Sequence, residues 1–420
     1  MSRSILHCDL NNFFASVECL RYPELSDKCM AVGGSTEQRK GIILAKNENA
    51  KKYGVKTGEA IWEAKLKCPD LVTVSPHYSD YAKYSRIVKD IYKQYTDMVE
   101  PFGIDECWLD VTGSYNLFGE KEKIADEIRK KVKVDTGLTI SVGVSFNKVF
   151  AKLGSDMKKP DAVTVIEENS FRNQIWHLPS SAMIGVGRST EKKLTYMGIS
   201  TLGELAQMPV ESLKRVLGVN GITLWKNANG LDDMPVLREC DIPPFKSVSR
   251  GVTLPKDVVE DADLSRAVLT LCEKVCNVLQ KNSVKSYVVK IALKSTNLTV
   301  REYSKRLSMP TQLVDTVFSE CMLLAQKNRQ DKAPVRAVTV GVSEIVNKNM
   351  PYQLSLDDDI LRSESIQSLE DTVFSLRERF GYKSVIRASL LKYEWFDDIN
   401  GTKALLGKSV QDTLSEEYCQ

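Results

Sequence analysis

Between residues 247 and 346, four stretches of period-two alternation are separated by two stretches of helical period, and few folds accept that order. In one stretch Tyr287, Val289, Ile291 and Leu293 face one way, while Val288, Lys290, Ala292 and Lys294 face the other. The pattern predicts strands over 247–254, 286–295, 299–308 and 335–346, with helices over 261–281 and 311–326. A β-α-β-β-α-β order puts two helices on one face of a four-stranded sheet and leaves the other face open. Arg250, Lys290, Lys294, Arg301 and Arg306 are expected on that open face. Residues 241–350 carry 17 Lys/Arg against 11 Asp/Glu, whereas residues 351–420 carry 8 against 13. A basic domain beside an acidic tail suits a polyanion gripped at one place, such as a nucleic-acid backbone.

The first 165 residues alternate strand-like and helix-like segments, which predicts an α+β domain. Carboxylates interrupt two of its apolar runs. Asp9 ends the run Ile5-Leu6-His7-Cys8, and Asp105 and Glu106 lie between Ile104 and Cys107-Trp108-Leu109 in a predicted strand over 104–111. An uncompensated charge in such a run is costly. Solvent-exposed strand ends would explain either segment alone. Neighbouring strands delivering all three acids to one spot would make a site for hard, oxygen-seeking Mg²⁺ and for two-metal phosphoryl chemistry. Helices are predicted over 11–20, 47–53, 78–99 and 119–134.

From Pro179 the texture becomes helical, with Gly185-Val186-Gly187 before one helix and Gly218-Val219-Asn220-Gly221 before another. Such turns can offer backbone N–H groups to a phosphate, or can simply cap a small bundle. Leu231 to Pro244 is rich in Asp and Pro and is expected to be a linker. At 420 residues the chain exceeds a single core, and its 42% hydrophobic and 27% charged residues fit a globular protein. No apolar run approaches a membrane span, and no basic-then-apolar leader opens the chain. Ten scattered cysteines without a Cys-x-x-Cys pair, with three histidines, disfavour a zinc site and fit reduced thiols in the cytoplasm. Cys272 and Cys276 share a helix face and are expected in the core.

The segments Asp9-Leu10-Asn11-Asn12-Phe13-Phe14-Ala15-Ser16-Val17-Glu18 and Ile104-Asp105-Glu106 resemble the Y-family (translesion) DNA polymerases of the bacterial DinB/UmuC type. Val32-Gly33-Gly34, Tyr53 to Gly58, Asn147 to Lys152, Asp156 to Pro160 and Gly185-Val186-Gly187 follow in the family's order. The resemblance spans roughly residues 1–350. It implies a multidomain α+β right hand: a palm (1–11 and 76–165), fingers (12–75), a helical thumb with helix-hairpin-helix turns (166–230), a linker (231–242), a β-α-β-β-α-β little finger (243–348) and a tail (349–420). It also implies template-directed, low-fidelity synthesis without proofreading, in damage tolerance, by a monomer that uses primer-template DNA and deoxynucleoside triphosphates.

By the same resemblance, two Mg²⁺ ions would be held by Asp9, Asp105, Glu106 and the Leu10 carbonyl. The nucleotide would meet Phe13, Phe14 as the steric gate beneath the sugar, Lys51 and Lys159. DNA would meet Gly185 and Gly187 of the thumb and the five basic residues of the little finger. Gln353, Leu354 and Leu356 resemble a sliding-clamp motif, with Asp357 where an aromatic is usual. Glu48 and Lys51 replace the tyrosine and arginine common in the fingers helix; Gly103 replaces a serine and Cys107 an alanine. The altered triphosphate contacts leave an alternative, a clamp- and DNA-binding scaffold with weak or partner-dependent synthesis.

Overall fold

The computed structural model describes residues 3–35, 39, 41–241, 245–329, 333–351 and 360–391. The chain forms two compact units; of the described residues, 42–241 belong to the first and 245–391 to the second. In the first, a five-stranded sheet runs in the order Val99–Phe102, Glu106–Asp110, Ile5–Leu10, Ile140–Ser145, Val163–Val165. All neighbours are antiparallel except the last pair. The central strand is buried throughout, so its two faces serve different purposes. Leu6, Cys8 and Leu10 pack with Tyr81, Val88, Ile124 and Ile128, from the helices Tyr78–Lys93 and Lys121–Thr136. The odd residues turn to the opposite face, where Ile5 packs with Trp108 and with Ala151 of the helix Lys148–Met157.

That helix lies close to the sheet because Gly143 faces it. A Cβ there would overlap the Ala151 carbonyl oxygen and the Ser155 amide nitrogen. Two predicted boundaries shift. The helix from Tyr78 stops at Lys93, so Val99 opens a strand, and the acidic strand begins at Glu106. Asp105 sits in the hairpin turn instead, where Gly103 takes a positive φ of 86°.

A three-stranded sheet (Ile43–Lys46, Met30–Gly33, Val72–Val74) with the helices Glu48–Lys52 and Ile61–Lys67 makes up the stretch expected to be the fingers. Four helices, Arg188–Tyr196, Leu202–Gln207, Val210–Leu217 and Val219–Ala228, bury Leu194, Leu205, Leu213 and Leu224 in the thumb region. The expected linker is docked instead of free. Val236 is buried beside Ile5 and Trp108, and the Leu237 amide donates to Glu100 Oε2 at 2.8 Å. Lys148 Nζ pairs with the same carboxylate at 2.6 Å. Asp and Pro remove helix and strand options from this segment, but they do not stop one apolar residue from anchoring it.

The second unit realises the β-α-β-β-α-β plan. Strands Ser247–Val258, Val284–Ser295, Val300–Thr311 and Val335–Asn347 are ordered third, second, fourth, first across the sheet. The helices Asp261–Lys281 and Val314–Asn328 cover one face, burying Cys272, Cys276, Val289, Ile291 and Val340. Each fully buried Val or Leu there contributes ~1.5–3 kcal/mol relative to exposure.

The register corrects two of the five basic residues. Arg250 pairs with Val340 and Arg301 with Leu293, and both partners point into the core, so these arginines lie on the helix side of the sheet. Arg250 is buried, and Arg301 is exposed near the sheet's edge. A bulge between Ser286 and Val288 also breaks the expected alternation, and Arg306 lies over the Tyr287 ring at 4.7 Å.

Beyond the sheet, the helix Ile360–Phe380 and two short turns dock on the same helical layer. Buried Glu273 accepts from Arg377 and Arg387 at 3.1 Å each, and Glu370 accepts from the Val314 amide at 3.1 Å. No strand follows this helix among the described residues. The clamp-like residues Gln353, Leu354 and Leu356 lie outside the described residues.

Candidate active site

The carboxylates meet at one end of the five-stranded sheet. Asp9 and Glu106 are directly opposed across their two strands, and the Leu10 amide donates to the Asp105 carbonyl at 3.0 Å. On the facing helix, Lys148, Lys152 and Ser155 recur at i, i+4 and i+7, and Lys159 follows its end. Lys152 Nζ lies 2.8 Å from Glu106 Oε2, 3.4 Å from Asp9 Oδ2 and 3.3 Å from Asp156 Oδ2. Lys159 Nζ lies 2.7 Å from Asp9 Oδ2. With ammonium groups among the carboxylates, no three His, Cys, Asp or Glu side chains form a ready cation cage among the described residues.

The charges are unequally held. Burial, reinforced by the charges of Asp9 and Glu106, pushes the Asp105 carboxyl up to about 6. Burial also opposes the charge on Glu106, but His7 and Lys152 outweigh it and hold that carboxyl at about 2. Asp9 is raised, because burial outweighs its two lysines. Three crowded acids, all with oxygen donors and one pushed towards its protonated form, fit a divalent cation as the missing counter-charge. The lysine ammoniums stand where positive charge is wanted.

Of the nucleotide residues, Phe14 is half-buried and stacks on Tyr81 with centroids 4.2 Å apart and planes 9° from parallel. Tyr81 is itself fixed: its hydroxyl donates to Glu18, a carboxylate with no exposed surface that also accepts from the His77 amide at 3.1 Å. Phe13 differs in where its side chain lies. It is 3% exposed and packs into the palm core, because it follows Asn12, which adopts a left-handed backbone, and turns to the helix's inner face.

In the fingers, Glu48 Oε1 accepts from Asn12 Nδ2 at 2.8 Å and pairs with Lys51 Nζ at 3.4 Å. Burial would raise Glu48, yet Asn12 and Lys51 prevail and its carboxyl sits below the usual range. Lys51 is thus already engaged by an acid of its own helix. Gly185 adopts φ +91°, and Gly187 is the N-cap of the helix Arg188–Tyr196. Gly221 differs, since its missing Cβ makes room for the Leu213 carbonyl.

On the open face of the second unit, Lys290, Lys294 and Arg306 remain in place, with Lys290 3.9 Å from Glu302 and Arg306 2.9 Å from Glu344. Between them the register places Ser247, Ser249, Gly251, Ser304, Thr339, Gly341 and Ser343, a surface of short side chains.

His7, Lys152 and Ser155 were not singled out from sequence. The i, i+4, i+7 spacing on one helix was the signal available for Lys152 and Ser155. Nothing in the sequence pairs His7 with a residue 148 positions away.

A hand-shaped polymerase with a fourth, basic domain is the class that this sheet, its acidic end and its helical thumb define. The chain matches the impB/mucB/samB family over residues 8–156, that family's C-terminal domain over 245–356, and the thumb domain of DNA polymerase iota over 182–232. It is 49% identical over 393 residues to DNA polymerase IV of Acetivibrio thermocellus, covering 93% of this chain and 98% of that one. It is 34% identical over 397 residues to DNA polymerase IV 1 of Bacillus subtilis, covering 94% of each. A Y-family DNA polymerase chimera of Dbh and Dpo4 shares the fold, with a TM-score of 0.72 at 23% identity, over 82% of this chain and 99% of that one. The chain belongs to the impB/mucB/samB family, the Y-family DNA-directed DNA polymerases of the DNA polymerase IV type. Among the described residues no helix is long and apolar enough to cross a membrane.

Proposed function

We propose that the chain performs low-fidelity translesion synthesis: a primer 3′-hydroxyl attacks the α-phosphate of a deoxynucleoside triphosphate paired to template DNA, and pyrophosphate leaves. The observation that carries this is the gathering of Asp9, Asp105 and Glu106 at one sheet end, within reach of Lys152 and Lys159. Two Mg²⁺ ions held by these acids and the Leu10 carbonyl would lower the hydroxyl's pKa and neutralise charge on the triphosphate. Lys159 is then placed to exchange Asp9 for a phosphate, as a mobile point charge can. Phe14, braced by Tyr81, blocks the space that a ribose 2′-hydroxyl would need. Lys290, Lys294 and Arg306 would grip the duplex backbone. The nine described cysteines are all free thiols, in keeping with the reducing cytoplasm as the place of work.

The test is primer extension with Mg²⁺ on plain and lesion-bearing templates. Asp105→Asn removes one charge from a half-buried turn and should abolish extension while the melting temperature holds. A fully active Asp105→Asn protein overturns the proposal.

A further inference from the structure

Beside the carboxylates, the buried His7 Nε2 lacks a completed hydrogen bond; it faces Glu106 Oε2 at 3.3 Å, an oxygen that Lys152 Nζ also approaches at 2.8 Å. Such atoms are rare in folded proteins and ask for an explanation. The His7 ring has no exposed surface, lies edge-on to Trp108 at 5.2 Å, and reaches Ser155 Oγ through Nδ1 at 2.8 Å. A neutral imidazole carries one N–H, and its location follows from what the other nitrogen accepts. A proton on Nδ1 would leave the Nε2 lone pair facing those of Glu106, in a site closed to water. With the Ser155 hydroxyl donating to Nδ1, the N–H lies on Nε2 and points at Glu106, so all three groups are satisfied. The competing acceptor for that hydroxyl, the Lys152 carbonyl at 2.8 Å, belongs to a helix that already supplies its carbonyls with donors.

We infer that His7, held in this tautomer by Ser155, is a positioning residue that orients the Glu106 carboxylate for nucleotidyl transfer. The inference rests on the two-cation proposal above. Both His7 Nε2 and Lys152 Nζ approach Oε2, so Oε1 is the oxygen left for a cation. Hydrogen bonds of this kind are often loose until the reacting complex assembles, and the 3.3 Å approach needs only a small rotation to close.

The test measures Mn²⁺ binding to the full-length protein on a dideoxy-terminated primer-template, together with the Mg²⁺ dependence of extension. His7→Phe should keep the fold and DNA affinity, weaken Mn²⁺ binding ~10–100-fold, and raise the Mg²⁺ needed for half-maximal rate. His7→Gln returns an N–H near the original position and should recover most of the affinity; Ser155→Ala should shift it the same way as His7→Phe. Unchanged Mn²⁺ affinity in His7→Phe overturns the positioning role, as does a His7→Gln protein no better than His7→Phe. Should His7→Phe not fold, Ser155→Ala decides by the same criterion. Glu106→Gln separates the two ideas. If it too binds Mn²⁺ normally, the two-cation proposal falls and takes this one with it; if only Glu106→Gln is weakened, the positioning role alone is wrong.

Discussion

Gly143→Ala tests whether the site depends on how closely the helix Lys148–Met157 lies against the sheet. Its new Cβ would overlap the Ala151 carbonyl oxygen and the Ser155 nitrogen and sit 2.9 Å from the Gly154 carbonyl carbon. All three are backbone atoms of one helix, so no side chain can rotate out of the way. Restoring ordinary separation requires the helix to withdraw by about 1 Å or more in an interior packed like a crystal. Overpacking of this kind costs ~1–3 kcal/mol, enough to lower stability without abolishing folding. The larger effect falls on catalysis, because the same helix carries Lys152 and Ser155. A displacement of about 1 Å in such a group lowers the rate roughly 10²-fold. The assay pairs single-turnover primer extension with thermal melting. Gly113→Ala is the control, since its Cβ would meet no atom within 4 Å. A Gly143→Ala protein with wild-type turnover would refute the idea that this close approach sets the site's geometry.

Phe14→Ala should admit ribonucleotides, read as the ratio of ribo- to deoxynucleotide incorporation, and should destabilise the fold modestly because the ring stacked on Tyr81 is gone; unchanged sugar selection would remove Phe14 as the gate. Lys290→Ala with Lys294→Ala should weaken duplex binding and flatten its dependence on log salt by about 0.9 for each phosphate that is no longer neutralised. Arg250→Ala, on the helix side of its sheet, should leave that slope intact, and fluorescence anisotropy across a salt series distinguishes the two. Burial pushes Glu370 up to about 7, against the Val314 amide and Arg387. The folded chain then keeps a proton that the unfolded chain releases, so this group's stability contribution falls as pH rises from its ordinary value to about 7 and stays absent above. Glu370→Gln should remove up to about 3 kcal/mol of that decline, and parallel melting curves for the two proteins across this range would contradict it.

Where periodicity was strong, the sequence was easily read. The helix Asp261–Lys281 lies at its predicted bounds, and the four strands of the second unit differ from prediction by a few residues at their ends. The opposition of Asp9 and Glu106 was also legible, because an acid ending an apolar run announces itself. Three features were not. Asp105 looked like strand because Ile104 and Cys107 flank it, yet Gly103 permits a hairpin turn there. Arg250 was assigned outward because charge usually faces water, yet its pairing with Val340 and its place on the buried face with Val248 and Val252 show otherwise. The His7–Ser155 contact joins residues 148 positions apart, a distance over which local pattern carries no information.

The Asn12–Glu48–Lys51 cluster bears on how this polymerase responds to its supply of building blocks. On the expectation that Lys51 meets the triphosphate, an incoming nucleotide would have to compete with a resident carboxylate before Lys51 could turn to it, so part of the attraction would be cancelled in advance. Weaker attraction means that the site stays unsaturated over a wider span of nucleotide concentration, where rate follows concentration almost in proportion. An enzyme built on that contact would work as a gauge of nucleotide abundance: idle when deoxynucleotides are scarce, quick when they are plentiful.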